Sequence, residues 1–379
     1  MYILESSYYK KFRCTAGKCP YTCCQQWRIS VDDATCDRWS EISDIINAGQ
    51  TLDCNIGSDC DGKKIVFGAD GRCRCLTPDG LCRVELGYGQ DAIPETCRIF
   101  PRIDRQSGAR TEHTVAAGCP AVVDMMNSTD FSVIKTASDG QIEEAGTQQE
   151  KIRDILTGLI IDSCFSPEEA MMMGYYILLD LRDCIKEKGS FDPAVYSDKG
   201  FIKKLAGAVR RAKSDPLECM EERNEVLLDL IYDYLKQGLY DQLLPETAKK
   251  AEEISAGCDE ERMRRDISDF GVFMKKYEGL IRNYLANEIF AGLLRCDGGQ
   301  DDMYAGMQWA SVCYAAIKQT IFINWINNGY DMTYDKIRDI IVVMARVTGY
   351  DDTGIMDYLQ RRFKSPVWDW GYFALLSGK

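Results

Sequence analysis

The sequence predicts a mainly α protein, in which an irregular, cysteine-rich α+β segment (residues 1–126) packs through a linker (127–149) on an all-α domain (150–379). Two observations carry this reading. Of eighteen cysteines, twelve fall within the first 119 residues, where Gly, Pro and Asp repeatedly interrupt the chain. Beyond residue 150, apolar residues recur at three- and four-residue spacing, the period of an amphipathic helix.

Taken in order, the first segment offers one alternating stretch with strand character, Trp27 to Val31. Its breaks at 59–62, 68–71 and 77–80 leave little continuous apolar surface, so metal bonds are expected to supply stability that the core lacks. The stretch 127–149 has few apolar residues and no period, which reads as a linker. Ser166, Pro167 and Glu168 then form an N-cap, a first-position proline and an early acid, opening a helix that stops at Gly189. Further helices are expected at Phe201 to Ala212, Leu217 to Leu235, Pro245 to Ile254, Glu260 to Leu294, Asp302 to Ile326, Tyr334 to Thr348 and Asp352 to Phe363.

The formal charge of −13 gives no basic footprint for phosphates, which argues against a nucleic-acid partner. The acidity is concentrated after residue 125, where it could steer a lysine-bearing protein partner. No uninterrupted apolar run of spanning length occurs, so no membrane partner is expected. The N-terminal MYILESSYYKKFRC lacks the features of a secretory leader. A cytoplasmic location follows as the expectation, and there cysteines stay reduced and serve as ligands, catalytic thiols or core residues.

The opening cluster is Cys14-x(4)-Cys19-x(3)-Cys23-Cys24; Cys75-x(6)-Cys82, Cys97 and Cys119 follow. These eight thiols are the candidate metal ligands, enough for two four-thiolate centres. Adjacent side chains in an extended segment point to opposite faces, so Cys23 and Cys24 are expected to serve different centres, or one of them to be structural. Soft thiolates suit zinc or an iron–sulfur cluster. The single histidine, His113, disfavours mixed Cys/His zinc sites, and C-x(2)-C knuckles are absent, so the pattern leans toward iron–sulfur. Cys36, Cys54, Cys60 and Cys73 read as structural, and the six later cysteines as packing residues. No phosphate loop, nucleotide-binding glycine turn or Ser/His/Asp arrangement is present, leaving catalytic and cofactor-binding residues unassigned.

The run Phe12-Arg13-Cys14-x(4)-Cys19-x(3)-Cys23-Cys24-Gln25-Gln26-Trp27, with Cys75-x(6)-Cys82, Glu95-Thr96-Cys97-Arg98-Ile99-Phe100-Pro101-Arg102 and Gly118-Cys119-Pro120, resembles the flagellin lysine-N-methylase family. It is also similar, more distantly, to small bacterial zinc- or iron-chelating domains. Asn283-Tyr284-Leu285-Ala286-Asn287 with Phe290 looks like a second family segment, although core packing and helix hydrogen bonding account for these residues and for Trp27. The resemblance implies a cytoplasmic enzyme that carries a cysteine-ligated cluster and transfers methyl groups from S-adenosylmethionine to lysines of flagellin. It departs from the pattern between Leu52 and Arg74, which carry three extra cysteines. The C-x(3)-C-x(2)-C loop of radical S-adenosylmethionine enzymes is absent, which favours polar methyl transfer. The competing class is a non-enzymatic chelating or cluster-carrying protein.

Overall fold

Four short strands form one sheet in the order β4-β5-β1-β6: β1 (Tyr2–Ser6), β4 (Arg102–Ser107), β5 (Arg110–Val115) and β6 (Val133–Ala137). β1 runs parallel to β5 and antiparallel to β6, while β4 and β5 make an antiparallel hairpin. A separate hairpin joins β2 (Ile56–Asp59) to β3 (Gly62–Ile65). The computed structural model describes the chain except for residues 26, 43–50, 60–61, 138–146, 213, 237–242, 258, 295–299, 350–351, 364–368 and 379. Cys60, Cys258 and Cys296 therefore lie outside the described residues, as does part of the expected linker.

Short helices α1 (Asp33–Glu41), α2 (Arg83–Tyr88), α3 (Glu95–Ile99) and α4 (Pro120–Ser128) lie among the strands. The remainder of the described chain is helical: α5 (Gln148–Ile161), α6 (Pro167–Lys188), α7 (Ala194–Ser197), α8 (Lys199–Arg211), α9 (Pro216–Lys236) and α10 (Leu243–Ser255). It continues with α11 (Glu260–Met274), α12 (Glu278–Gly292), α13 (Gln300–Asn327), α14 (Tyr334–Val347), α15 (Asp352–Phe363) and α16 (Trp370–Ser377). The protein is mainly α.

Local signals explain much of this. Ser166 accepts from the Glu169 amide, the Glu169 side chain returns to the Ser166 amide, and Gly189 ends α6 in the left-handed region at φ 72°. This reciprocal cap and glycine stop fix both ends of the helix. Two expectations need correction. Trp27 to Val31 is no strand; it touches β3 through the Ile65 amide to the Ile29 carbonyl and the Val31 amide to the Lys63 carbonyl. The Glu260 to Leu294 stretch is two helices, divided by a 3-10 turn at Lys275–Tyr277.

The core does not divide at residue 126. Leu4, Tyr8, Val115 and Val122 share one apolar cluster with Leu156, Ile281, Phe290 and Ile341 of the helices. Residues 133–137, expected in the linker, form edge strand β6, because pairing with β1 supplies partners for their backbone groups. Buried Asn287 donates to the Val115 carbonyl at 2.9 Å, and Asn283 donates to Met126 and accepts from the Phe131 amide. A second, small cluster of Ile29, Val31, Trp39, Leu52, Ile65 and Val84 lies within the cysteine-rich excursion between β1 and β4.

Candidate metal centre

The excursion folds its loops onto one another. A 3-10 turn at Ala16–Lys18 carries the chain from Cys14 to Cys19. Gly17 sits so close to the 77–82 loop that a Cβ there would lie 2.6 Å from the Asp79 carbonyl, so only glycine permits this approach. The Cys73 amide bonds to the Cys24 carbonyl at 2.8 Å, joining the first thiol run to the second. Cys82 and Cys119 occupy the positions that precede α2 and α4, without side-chain capping bonds, and Cys97 lies on α3.

The outcome is a cavity of about 290 Å³ lined by Cys14, Cys19, Cys23, Cys24, Cys73, Cys75, Cys82, Cys97 and Cys119. All eight sequence-designated cysteines reach it. Cys73 joins them, although its position in the extra 52–74 stretch reads as structural; its short distance along the chain from Cys75 was the available signal. His113 is not on the lining; it hydrogen-bonds Asp104 and stacks on Tyr9.

Electrostatics divides the thiols into two neighbourhoods. Cys14 acts on Cys19 and Cys119, and Cys19 acts on Cys119, whereas Cys82 and Cys97 respond to Cys24 and Cys73. Burial pushes Cys82 and Cys119 up to about 11, and raises Cys97 further. Cys23 and Cys24 do not point apart as an extended segment would require: their thiols hydrogen-bond each other. The chain bends here, and that bond raises Cys23 and brings Cys24 down to about 7.

The helical half braces the cavity's loops from outside its lining, a contribution invisible in the cysteine pattern. Arg346 of α14 is 7% exposed. It donates from Nε to the Gly118 carbonyl at 3.0 Å, and from its two terminal nitrogens to the Thr22 and Tyr21 carbonyls at 3.0 and 3.1 Å. Its guanidinium also stacks on Tyr21 and Trp27. Arg346 thus pins the peptides beside Cys23 and Cys119, and its charge favours the thiolates of Cys19, Cys23 and Cys119.

Nine soft donors without histidine suit zinc or an iron–sulfur centre in kind. Among the described residues, no three Cys, His, Asp or Glu side chains converge as a finished ion site. Binding would therefore draw the thiols inward from the cavity wall.

A helical half built on α6, α9, α12, α13 and α14, whose Arg346 pins the loops of a thiol-lined cavity, defines a cysteine-bearing helical protein. The chain belongs to the family described as the FliB lysine N-methylase C-terminal domain, whose model matches residues 153–376. It is similar to the lysine-N-methylase of Salmonella typhimurium, 26% identical over 133 residues, which is 34% of this chain and 33% of that one. It is equally similar to the flagellar biosynthetic protein FliU of Salmonella muenchen, 26% identical over 133 residues that make up 79% of that protein. The chain thus spans about a third of the length of the lysine-N-methylase it matches. No solved structure matches.

Proposed function

We propose that the protein methylates lysine side chains of a flagellar protein, most simply flagellin, using S-adenosylmethionine, and that its thiol cavity holds an iron–sulfur centre, with zinc as the alternative metal. The observation that supports this reading is the physical union of two parts. The family-matched helical half supplies Arg346, and Arg346 anchors the cavity that gathers the cysteines.

S-adenosylmethionine supplies an electrophilic methyl group. An unprotonated lysine amine forms the new C–N bond as the C–S bond breaks, its electron pair remains on sulfur, and the amine proton leaves to solvent. This displacement needs alignment and a proton acceptor but no electron. The centre would then hold the fold of the cysteine excursion. Among the described residues no helix is long and apolar enough to cross a membrane. We place the protein in the cytoplasm, where its thiols stay reduced.

The test mixes anaerobically purified protein, S-adenosylmethionine and unmethylated flagellin, with and without dithionite, and reads lysine masses. Methylation in both arms is expected. Methylation only with reductant, accompanied by 5′-deoxyadenosine, would replace the polar mechanism with a radical one. Metal binding with neither methylation nor cofactor binding would move the protein to the chelating or cluster-carrying class.

A further inference from the structure

A second cavity, of about 460 Å³, opens among α6, α9, α11, α12 and α13 and has no cysteine on its lining. Its volume falls in the range of drug-sized ligand sites. Met220, Ile267, Phe270, Ile281 and Phe322 give it an apolar wall. Exposed residues of α11 and the turn that follows it, Arg264, Gly271, Val272 and Lys275, form its mouth. Buried charges form its floor. There Lys318 donates to Glu168 and to the Gly378 carbonyl, each at 3.0 Å, and the Tyr314 hydroxyl donates to the same Glu168 oxygen at 2.7 Å.

Cations outnumber carboxylates on this lining, although the chain as a whole carries a net charge of −13. Arg223, Arg264, Lys275 and Lys318 share it with Glu168 and Glu278. Both carboxylates are already taken: Glu168 by Lys318 and Tyr314, and Glu278 by Arg282, a further cation off the lining. Arg264 is matched by Asp215, also off the lining. Arg223 is held by the Gly378 carbonyl and by Cys219, so it lends the cavity its charge and no bond. Lys275 has no ion-pair partner among the described residues. Lys318 keeps one N–H to spare, because an ammonium has three donors and its two bonds use the others. Its side chain is 12% exposed and lies on the lining. Buried positive charge that exceeds its counter-charge is costly, and an anion seated beside it offsets that cost.

We propose that this cavity binds an organic anion with an apolar body, a carboxylate carried on an alkyl or aryl group, its head on Lys318 and its body along Phe270, Ile281 and Phe322. The surplus of cations that admits such a head disfavours a cationic ligand. The site is separate from the thiol cavity and stands whether or not the chain methylates lysine.

The experiment titrates the full, metal-loaded chain with 8-anilinonaphthalene-1-sulfonate and with N-phenyl-1-naphthylamine, which shares its rings but has no charge, and reads fluorescence. Laurate and 3-phenylpropionate then compete for the anionic probe, the first standing for alkyl acids and the second for aryl ones. Three variants are compared. Lys318→Met removes the cation of the floor, and Lys275→Glu reverses the one at the mouth. Gly271→Leu fills space from α11, where an added Cβ meets nothing within 4 Å.

Wild type should bind the sulfonate more tightly than the neutral probe. Lys318→Met should weaken the sulfonate about tenfold, the value of one charge-assisted bond, and spare the neutral probe. Lys275→Glu should weaken the sulfonate by a smaller factor at an unchanged melting temperature, because Lys275 is exposed, and it decides the matter if Lys318→Met melts earlier. Gly271→Leu should weaken both probes. Whichever acid displaces the sulfonate names the body of the ligand, and displacement by neither would count against the proposal. Equal binding of the two probes, or sulfonate binding that no variant alters, would overturn it.

Discussion

Removing the Arg346 guanidinium leaves three carbonyls, of Tyr21, Thr22 and Gly118, without their donor. Arg346→Met should cost about 3 kcal/mol or more of stability and lower metal content. Arg346→Lys should recover only part, because an ammonium cannot serve three separated carbonyls from one plane. Urea melts and metal analysis would check both, and unchanged metal content in Arg346→Met would remove the anchoring role. Among the thiols, Cys73→Ser and Cys82→Ser should each lose metal, while Cys184→Ser, on α6 and away from the cavity lining, should keep it. Glu168 gives a pH dependence. Burial pushes its carboxyl up, but Lys318 and Tyr314 outweigh that and hold it at about 2, below the ordinary 4.5. A depressed folded-state value means its contribution is present above pH 4.5 and fades as the pH falls toward 2. Glu168→Gln should therefore flatten the acid limb of a stability-versus-pH curve, and an unaltered limb would contradict the pairing.

At the scale of elements, the helices were legible where the information is local. The Ser166 cap, Pro167 and the Gly189 stop are near neighbours in sequence, and α6 begins and ends with them. Ser166→Ala should cost about 1 kcal/mol by removing the reciprocal cap, visible as a lower urea midpoint. A loss near zero would mean that packing alone fixes the start of α6. The sheet was not legible, because β1 finds partners more than a hundred residues later and no turn signal links them. The division of Glu260 to Leu294 was missed for another reason: Lys275, Lys276 and Tyr277 include no glycine or proline to announce a break. Spacing picked out eight of the nine cysteines that line the cavity, but neither Cys73 nor the mutual bond of Cys23 and Cys24. That bond depends on a bend that residue types do not specify.

Across the whole molecule, the acidic surface and the cysteine-lined cavity would have separate roles in the proposed reaction. Raising salt should weaken the apparent affinity for the lysine-bearing substrate, because exposed charges are screened beyond about 10 Å at 0.1 M. The small cluster of Ile29, Trp39 and Ile65 is distinct from the main core, so the cysteine excursion has limited apolar support of its own. Removing metal with an anaerobic chelator should strip hydrogen-exchange protection from residues 14–97 and leave α6, α12 and α13 protected. Simultaneous loss throughout the chain would show a single cooperative unit instead.

The position of β1 in the middle of its sheet has a consequence for synthesis. As the chain leaves the ribosome, β1 appears first, yet both its neighbours, β5 and β6, come only after the entire cysteine excursion. During that interval the thiols are tethered at one end alone, and the loops beside them have not met the Arg346 that pins them. A metal donor that acts during translation would meet an open ribbon of sulfur ligands. One that acts after release would meet loops already pinned by α14. The order of strands would thus set a window for loading the proposed centre, and pulse-labelled ribosome-bound chains truncated before and after residue 346 would reveal when it shuts.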